Sequence, residues 1–517
     1  MRPLSCAHRS SRASAPVSLE SSRFARASPS RSPRARVGAI QPSTSSSTPL
    51  ADFATWLAER GVVGKNITVA YVSGGADEAE TSRGVVALKN IKADDELARL
   101  PRRAALIVTE GMDNPHPEFI SDALWLAAGD GRWALRVGLV LLREYALGSA
   151  SAFAPYVRQL PEVVNLIASY SDEEIRAMQY TLTEKFRREQ LEENAEAIRL
   201  VRKHADATSA LSSMSDERVI WAMDCVRSRV FSGRLVDDAK LRAKLLPRSL
   251  AVGTAFATFL TAPSAEGRWL AVAAMLALTV FDGMANIERD SVKTYVLMPL
   301  IDSVNHKTMA KTDAEFEFSV GAFVLRSPRD YAAGSEVFIS YGVLNNDELV
   351  TRYGFVDTEN VADIYRFEGL LPYLQANHEP MKRALGADPS RLANLKRTHP
   401  ALDEALWNGN FISDGNAENN LLWALRAVLA TPEEFAAANG VEGFKLGGGA
   451  PEKRVALAIR QAVLARLADC PTTLEQDYDA LKTAPKKGNM RTAIAYRIRK
   501  KRILRDAAKI YDVGGVS

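Results

Sequence analysis

Asn305 and His306 stand directly behind an apolar run, Tyr295-Val296-Leu297-Met298-Pro299-Leu300-Ile301, in the segment PLIDSVNH. The chain has only six histidines. One beside an asparagine, where a strand enters the interior, is either a satisfied polar residue of the core or a ligand contact, and the first is the commoner case. Thirty-five residues after His306, EVFISYGVLNNDELVTRYGFV ends a β-rich run at Tyr341 and reaches Tyr353 twelve residues later, after an acidic, helix-like stretch. Phenol hydroxyls in that setting offer polar oxygens against apolar walls. Tyrosine is common at strand ends, so the pair is weak evidence by itself. A third stretch, Thr81-Ser82-Arg83-Gly84, reads as a turn.

The elements that must position these groups alternate along the chain. DFATWLAERGVV has the pattern of a short amphipathic helix ended by Gly61, and RGVVALKNIKADDELARLPRRAALIV reads as paired strands around a polar turn at Ala93-Asp94-Asp95. From about 115 to 230 the periodicity is helical, with Leu135, Val137, Leu139 and Leu142 on one buried helix and Ser171 with Glu174 as a capping box. TEKFRREQLEENAEAIRLVRKH follows as a charged helix with a narrow apolar face. Residues 295 to 356 return to strands, and beyond about 365 the chain is helical again. There Leu421, Leu422, Leu425, Val428 and Leu429 line one face, and Thr472 with Glu475 opens another helix.

Composition bounds the reading. With 517 residues, 47% of them hydrophobic, the chain can bury at least one large core and fold as two or three units. Cys6, Cys225 and Cys470 lie too far apart in sequence for a disulfide framework or a zinc cluster, which favours a reducing compartment. The formal charge of +4 is misleading: residues 1–48 hold eight Arg, one acid and fourteen Ser, and the remainder carries 58 basic against 61 acidic residues. The body therefore has no electrostatic case for nucleic acid. The Arg- and Ser-rich leader lacks the apolar stretch of a secretory signal and fits an organellar transit peptide. The basic run Arg497, Arg499, Lys500, Lys501, Arg502 reads as the solvated face of a terminal helix.

With its motifs in order, the chain resembles the SET-domain methyltransferases, and among them the branch named for the Rubisco large-subunit lysine methyltransferase of plastids. The resemblance runs from about residue 60 to about 510 and rests on TSRGVVALKNI, GSASAFAPYVRQLPE, CVRSRVFSG, PLIDSVNH, SEVFISYG with YGFV, and the tail segments CPTTLEQDYDAL and YRIRKKRIL. It implies an α+β fold: a threaded SET β-core with a helical insert, followed by an all-α C-terminal domain. The domains expected are a leader over 1–48, a SET domain over 60–356 and a helical substrate-binding domain over 365–512. Within the SET domain the helical insert would span about 111–230 and an extra apolar insertion about 234–292.

The resemblance also implies S-adenosylmethionine as cofactor, no metal, and a protein lysine as acceptor in the chloroplast stroma. Thr81, Ser82 and Arg83, with Gly84, would offer backbone groups to the cofactor. Asn305 and His306 would hold its adenine and amino-acid ends, and Arg229 would face its carboxylate. Arg229, Asp302, Tyr341 and Tyr353 would line the substrate side, with Tyr341 as the catalytic residue. A catalytically inactive SET scaffold and a protein-histidine methyltransferase are the alternatives.

Three departures accompany the match. Ser82 stands where the family turn has its first glycine, and Gly233, followed by Arg234, stands where a second arginine is usual. The aromatic expected after the Asn-His strand falls on Phe316 or Phe318, neither with a hydroxyl. Residues 249–281 hold only two charges, Glu266 and Arg268, and their uncharged runs fall short of the ~20 residues that span a bilayer. Buried packing is the default for such a stretch; the other reading is an apolar helical hairpin turning at Glu266-Gly267-Arg268 that attaches the chain to a membrane or partner.

Overall fold

The computed structural model describes residues 49–73, 81–235, 254, 256–261, 264–276, 292–308, 310, 314–317, 321–447 and 451–513. The leader, Cys6 and Phe318 lie outside them, as does part of the apolar insertion. Thirteen strands are described: β1 Val63–Gly64, β2 Ile67–Ser73, β3 Thr81–Ala87, β4 Glu96–Pro101, β5 Leu106–Thr109, β6 Phe231–Leu235, β7 Val292–Leu297, β8 Asn305–His306, β9 Ala314–Glu317, β10 Ala322–Arg326, β11 Glu336–Ile339, β12 Ile364–Glu368 and β13 Asn408–Ile412.

Among the described residues these strands form four small sheets, in the orders β1-β4-β10-β9, β2-β3-β11-β8, β5-β7-β6 and β12-β13. The α+β fold class is as expected. The pairing of β3 with β4 is not, because each joins a different four-stranded sheet. Thr81–Gly84 is likewise no turn. It lies in β3, where Arg83 is opposite Tyr71 and Gly84 opposite Ala70. Short strands with intervening polar residues carry little register information in sequence, so their partners are settled by distant chain.

One pairing sets up the site. β8 lies parallel to β11, with Asn305 opposite Phe338 and His306 opposite Ile339. Parallel neighbours require a long crossover between them, and the strands between β8 and β11, β9 and β10, belong to the other four-stranded sheet.

Two hydrophobic cores carry most of the burial. The first joins strand residues Val85, Leu97, Leu297 and Val337 to Leu139 and Val226 from the helices Trp133–Ala146 and Asp216–Arg229. The second joins Phe367, Phe411, Leu425, Ile459 and Leu504 to Tyr170, Met178 and Tyr180. Those last three come from the helical insert, so the insert packs into the C-terminal core. Each such side chain contributes about 1.5–3 kcal/mol when fully buried.

Local signals fared unevenly. Ser171 and Glu174 form the expected capping box. The later box is Thr473 with Gln476, one residue beyond the expected Thr472 and Glu475. Thr472 instead accepts from Lys501 and donates to Asp477 Oδ1 at 2.5 Å. Glu266-Gly267-Arg268 is not a turn either, since it falls inside the helix Ala265–Leu276. On that helix Trp269 is 72% and Leu270 71% exposed. No helix among the described residues is long and apolar enough to cross a membrane.

The largest correction concerns the basic run. It does lie on a helix, Asn489–Ile510, but Arg497, Arg499, Lys500 and Lys501 are buried there. Lys500 Nζ pairs with Asp347 at 2.5 Å and Asp363 at 3.1 Å, and Lys501 with Asp477 at 2.6 Å.

Candidate active site

β7 is buried from Thr294 to Leu297, and Pro299 soon after cannot extend it because it has no N–H for a ladder. Leu300 follows with φ 77° and ψ −53°, a conformation that costs a non-glycine residue about 1–3 kcal/mol. It reverses the chain into the single helical turn Ile301–Ser303 and sets Asp302 in the interior. The Tyr156 hydroxyl donates to Asp302 Oδ2 at 2.6 Å, and Arg229 Nη1 donates to the Asp302 carbonyl at 3.1 Å. Burial pushes the Asp302 carboxyl up, opposed by the Arg229 cation, the Tyr156 bond and the Arg83 cation. Arg229 Nε is buried and has no hydrogen-bond partner among the described residues.

Beyond this turn lies β8. Asn305 Nδ2 donates to the Arg83 carbonyl at 3.1 Å and to Glu336 Oε1 at 2.7 Å. Both amide hydrogens are thus taken, and Oδ1 is what Asn305 can offer a ligand. Gly84 is required by this close approach: a Cβ there would lie 2.5 Å from Glu336 Oε1 and 3.0 Å from Asn305 Nδ2. Burial raises the Glu336 pKa, against the bond from Asn305. The Arg83 side chain points elsewhere, donating to the carbonyl of Gln159. Burial and the neighbouring Arg229 cation lower its pKa.

His306 Nδ1 accepts the backbone N–H of Tyr341 at 3.0 Å. The Tyr341 hydroxyl donates to the Val304 carbonyl at 2.9 Å. Desolvation pushes both Tyr341 and Tyr353 above the usual phenol range, so both stay neutral near pH 7. Tyr353 ends the helix Asn346–Tyr353, capped by Gly354 at φ 76°. A Cβ on Gly354 would come within 2.1 Å of the Asn165 carbonyl oxygen. The rings of Tyr341 and Tyr353 are 4.7 Å apart, and His306 lies 5.0 Å from Tyr341 and 5.8 Å from Phe355.

Asn305, His306, Tyr341 and Tyr353 thus gather at one place, with Arg229 and Asp302 behind them. Tyr156, Glu336, Thr308, Phe355 and Asp357 also contribute and were not singled out from sequence. Phe355 completes the aromatic wall, whereas Phe316 packs edge-on against Phe323 at 5.0 Å. Thr308 had a local signal, lying two residues after His306. Tyr156 had none beyond its segment, since its partner Asp302 is 146 residues away.

The SET domain profile matches residues 82–342, just over half of the chain. The chain belongs to the SET-domain family. A second profile, Rubisco LSMT substrate-binding, matches residues 390–504 of this SET-domain chain. The "[Fructose-bisphosphate aldolase]-lysine N-methyltransferase, chloroplastic" of Arabidopsis thaliana is 23% identical over 506 residues, covering 92% of this chain and 87% of that protein. Among solved structures, Rubisco LSMT bound to AdoMet is similar with a TM-score of 0.54 and 20% identity, covering 90% of this chain and 92% of that one. The SET domain of LSMT bound to lysine and AdoHcy gives the same score and identity, covering 90% and 91%. At this identity the structures speak to the fold.

Proposed function

We propose that this SET-domain chain, an S-adenosylmethionine-dependent protein-lysine N-methyltransferase, works in the plastid stroma on a lysine of a protein such as the Rubisco large subunit. The observation that carries the reading is the bond from the Tyr341 hydroxyl to the carbonyl of Val304. It ties one polar oxygen to the strand that bears Asn305 and His306. Similarity over 92% of the chain to a protein named as chloroplastic supports the plastid, as does the composition of the leader.

The residues present fit the cofactor. The unpartnered Arg229 Nε suits its carboxylate, since a buried guanidinium edge without an acceptor is costly. Asn305 Oδ1 suits its ammonium, because both amide hydrogens of Asn305 are already taken by the Arg83 carbonyl and Glu336. Thr81, Ser82 and Arg83 lend the β3 backbone, and His306 lends its own. When bound, S-adenosylmethionine supplies an electrophilic methyl group on sulfonium sulfur.

The remaining work is done by the chain. The Tyr341 hydroxyl donates its proton to Val304, so its oxygen lone pairs are left for partial positive charge. A neutral phenol in that place is a dipole and no base. Tyr353 and Phe355 give the amine channel aromatic walls, and desolvation there favours the neutral lysine that must attack. Asp302 and Arg229 brace the inner end of this channel. Alignment of the two reactants is the main contribution, on the order of 7–11 kcal/mol.

The test incubates the purified chain with methyl-labelled S-adenosylmethionine and stromal protein, then hydrolyses the product. Label is expected in methyl-lysine. Label in methyl-histidine, or none despite calorimetric binding of the cofactor, overturns the reading.

A further inference from the structure

The contacts around His306 define its ring chemistry. Nδ1 accepts a backbone N–H, so the neutral ring carries its proton on Nε2. Nε2 lies 3.2 Å from Thr308 Oγ1, and the Thr308 hydroxyl donates to Asp357 Oδ2. The other carboxylate oxygen of Asp357 accepts the backbone N–H of Glu359 at 3.0 Å. The three groups therefore run in one direction, His306 to Thr308 to Asp357.

Asp357 is itself held fast. The side chain of Asn346 accepts its backbone N–H at 2.9 Å and donates to its carbonyl at 3.0 Å. Asn346 Nδ2 also donates to Asp363 at 2.7 Å, and Asp363 pairs with Lys500 at 3.1 Å. Asn346 and Asp363 are fully buried. A continuous polar path thus joins the C-terminal helix Asn489–Ile510 to the backbone of Tyr341.

We propose that Thr308 and Asp357 are positioning residues that lock His306 in its Nε2–H form and so hold Tyr341 in place for methyl transfer. The consequence for transfer rests on the function proposed above; the locked ring does not. A ring free to carry its proton on Nδ1 would set N–H against the Tyr341 N–H. That repulsion would release the segment leading to the hydroxyl.

Asp357→Asn tests the direction of the relay. The Glu359 N–H requires the amide oxygen at one position, which turns the new NH2 toward Thr308. The Thr308 hydroxyl then loses its acceptor at residue 357 and has His306 Nε2 as the nearest one left, and donating to it moves the ring proton to Nδ1. Ring-nitrogen NMR of the full chain should show Nε2–H in the wild type and Nδ1–H in Asp357→Asn. Turnover in the variant should fall about 10- to 100-fold, the scale of a misplaced reacting group, with cofactor affinity little changed. Should that variant fold poorly, Thr308→Val removes the hydroxyl at nearly constant shape, and Thr308→Ser should return most of the lost turnover. A ring that stays Nε2–H in both Asp357→Asn and Thr308→Val overturns the proposal, as does equal damage from Val and Ser. A chain with the expected ring forms but no methyl transfer would overturn the proposed function instead, leaving the lock standing.

Discussion

Arg229 and Lys500 are both cations held within the fold, and only one is fully matched there. Lys500 is 2% exposed and reaches Asp347, Asp363 and the Ile364 carbonyl, at 2.5, 3.1 and 2.6 Å. Those are the three acceptors that an ammonium can use. The Tyr496 hydroxyl adds a bond to Asp347 at 2.6 Å. Among the described residues Arg229 has one bond, to the Asp302 carbonyl, and keeps a buried Nε without a hydrogen-bond partner. A cation whose donors are all met by its own chain holds elements together. Arg136, Arg187 and Arg366 also keep a buried Nε without a hydrogen-bond partner among the described residues, so what marks Arg229 is its place beside Asp302 and the Asn305–His306 strand.

Removing the matched cation should have the largest effect. Lys500→Met leaves Asp347 and Asp363 buried beside one another with a partner lost, which costs about 3–5 kcal/mol. Urea denaturation should show that loss, because the helix Asn346–Tyr353 would lose its tie to the C-terminal helix. A change below about 1 kcal/mol, the range of an exposed pair, would mean that Lys500 is no more than a surface charge.

Why the two cations were not equally legible follows from where their partners lie. Arg229 drew notice because the resemblance runs through a local motif, CVRSRVFSG, with PLIDSVNH as a second anchor. Lys500 could not: its acids come from segments 137 and 153 residues away in sequence, and helical spacing alone says only that Arg497, Lys500 and Lys501 share a side. Charge on a helix face is usually solvated, and here distant carboxylates overrode that rule. The same limit applies to β3 and β4. Their β character is local, but sheet partners are chosen across the whole chain. Asn305, His306, Tyr341 and Tyr353 were grouped from the family resemblance of PLIDSVNH, SEVFISYG and YGFV, since the tyrosine pair is weak evidence by itself. Tyr156 and Asp357 were not singled out by it.

Within the site the comparison separates chemistry from binding. Tyr341→Phe removes one oxygen that has a single bond among the described residues. Turnover should fall roughly 10²–10³-fold, with cofactor affinity and melting temperature nearly unchanged. Single-turnover methyl transfer measures the first and calorimetry the second. Near-normal turnover would remove the hydroxyl from the mechanism.

Arg229→Met completes the contrast with Lys500→Met. Loss of a bond from a charged group is worth about 1.5–3 kcal/mol, so cofactor affinity should weaken roughly 10- to 100-fold by calorimetry. Its stability loss should be clearly smaller than that of Lys500→Met. Equal destabilisation by the two substitutions would show that Arg229 is a structural cation as well, and the distinction drawn from its unpartnered Nε would collapse.

The smallest expected effect is a dependence on pH, and its sign follows from His306. Burial holds this ring below the ordinary value of 6.5, with the nearby Asp357 charge opposing the shift. The neutral phenols Tyr341 and Tyr353 beside it supply no counter-charge. Well above pH 6.5 the ring is neutral in folded and unfolded chain alike, and it adds no pH dependence to stability. Below that value the unfolded chain binds the proton first, so stability falls as pH falls, and levels off once the folded ring is also protonated. Protonation turns Nδ1 from acceptor to donor and breaks its bond with the Tyr341 N–H. Turnover should therefore drop on the acid side with a midpoint below 6.5. The acceptor lysine already imposes a one-proton slope on the logarithm of the rate across this range, so His306 should add a second proton to the slope. Circular dichroism at each pH separates this from unfolding. A slope that stays at one proton down to the pH where the fold begins to melt would show that the His306 ring does not hold Tyr341.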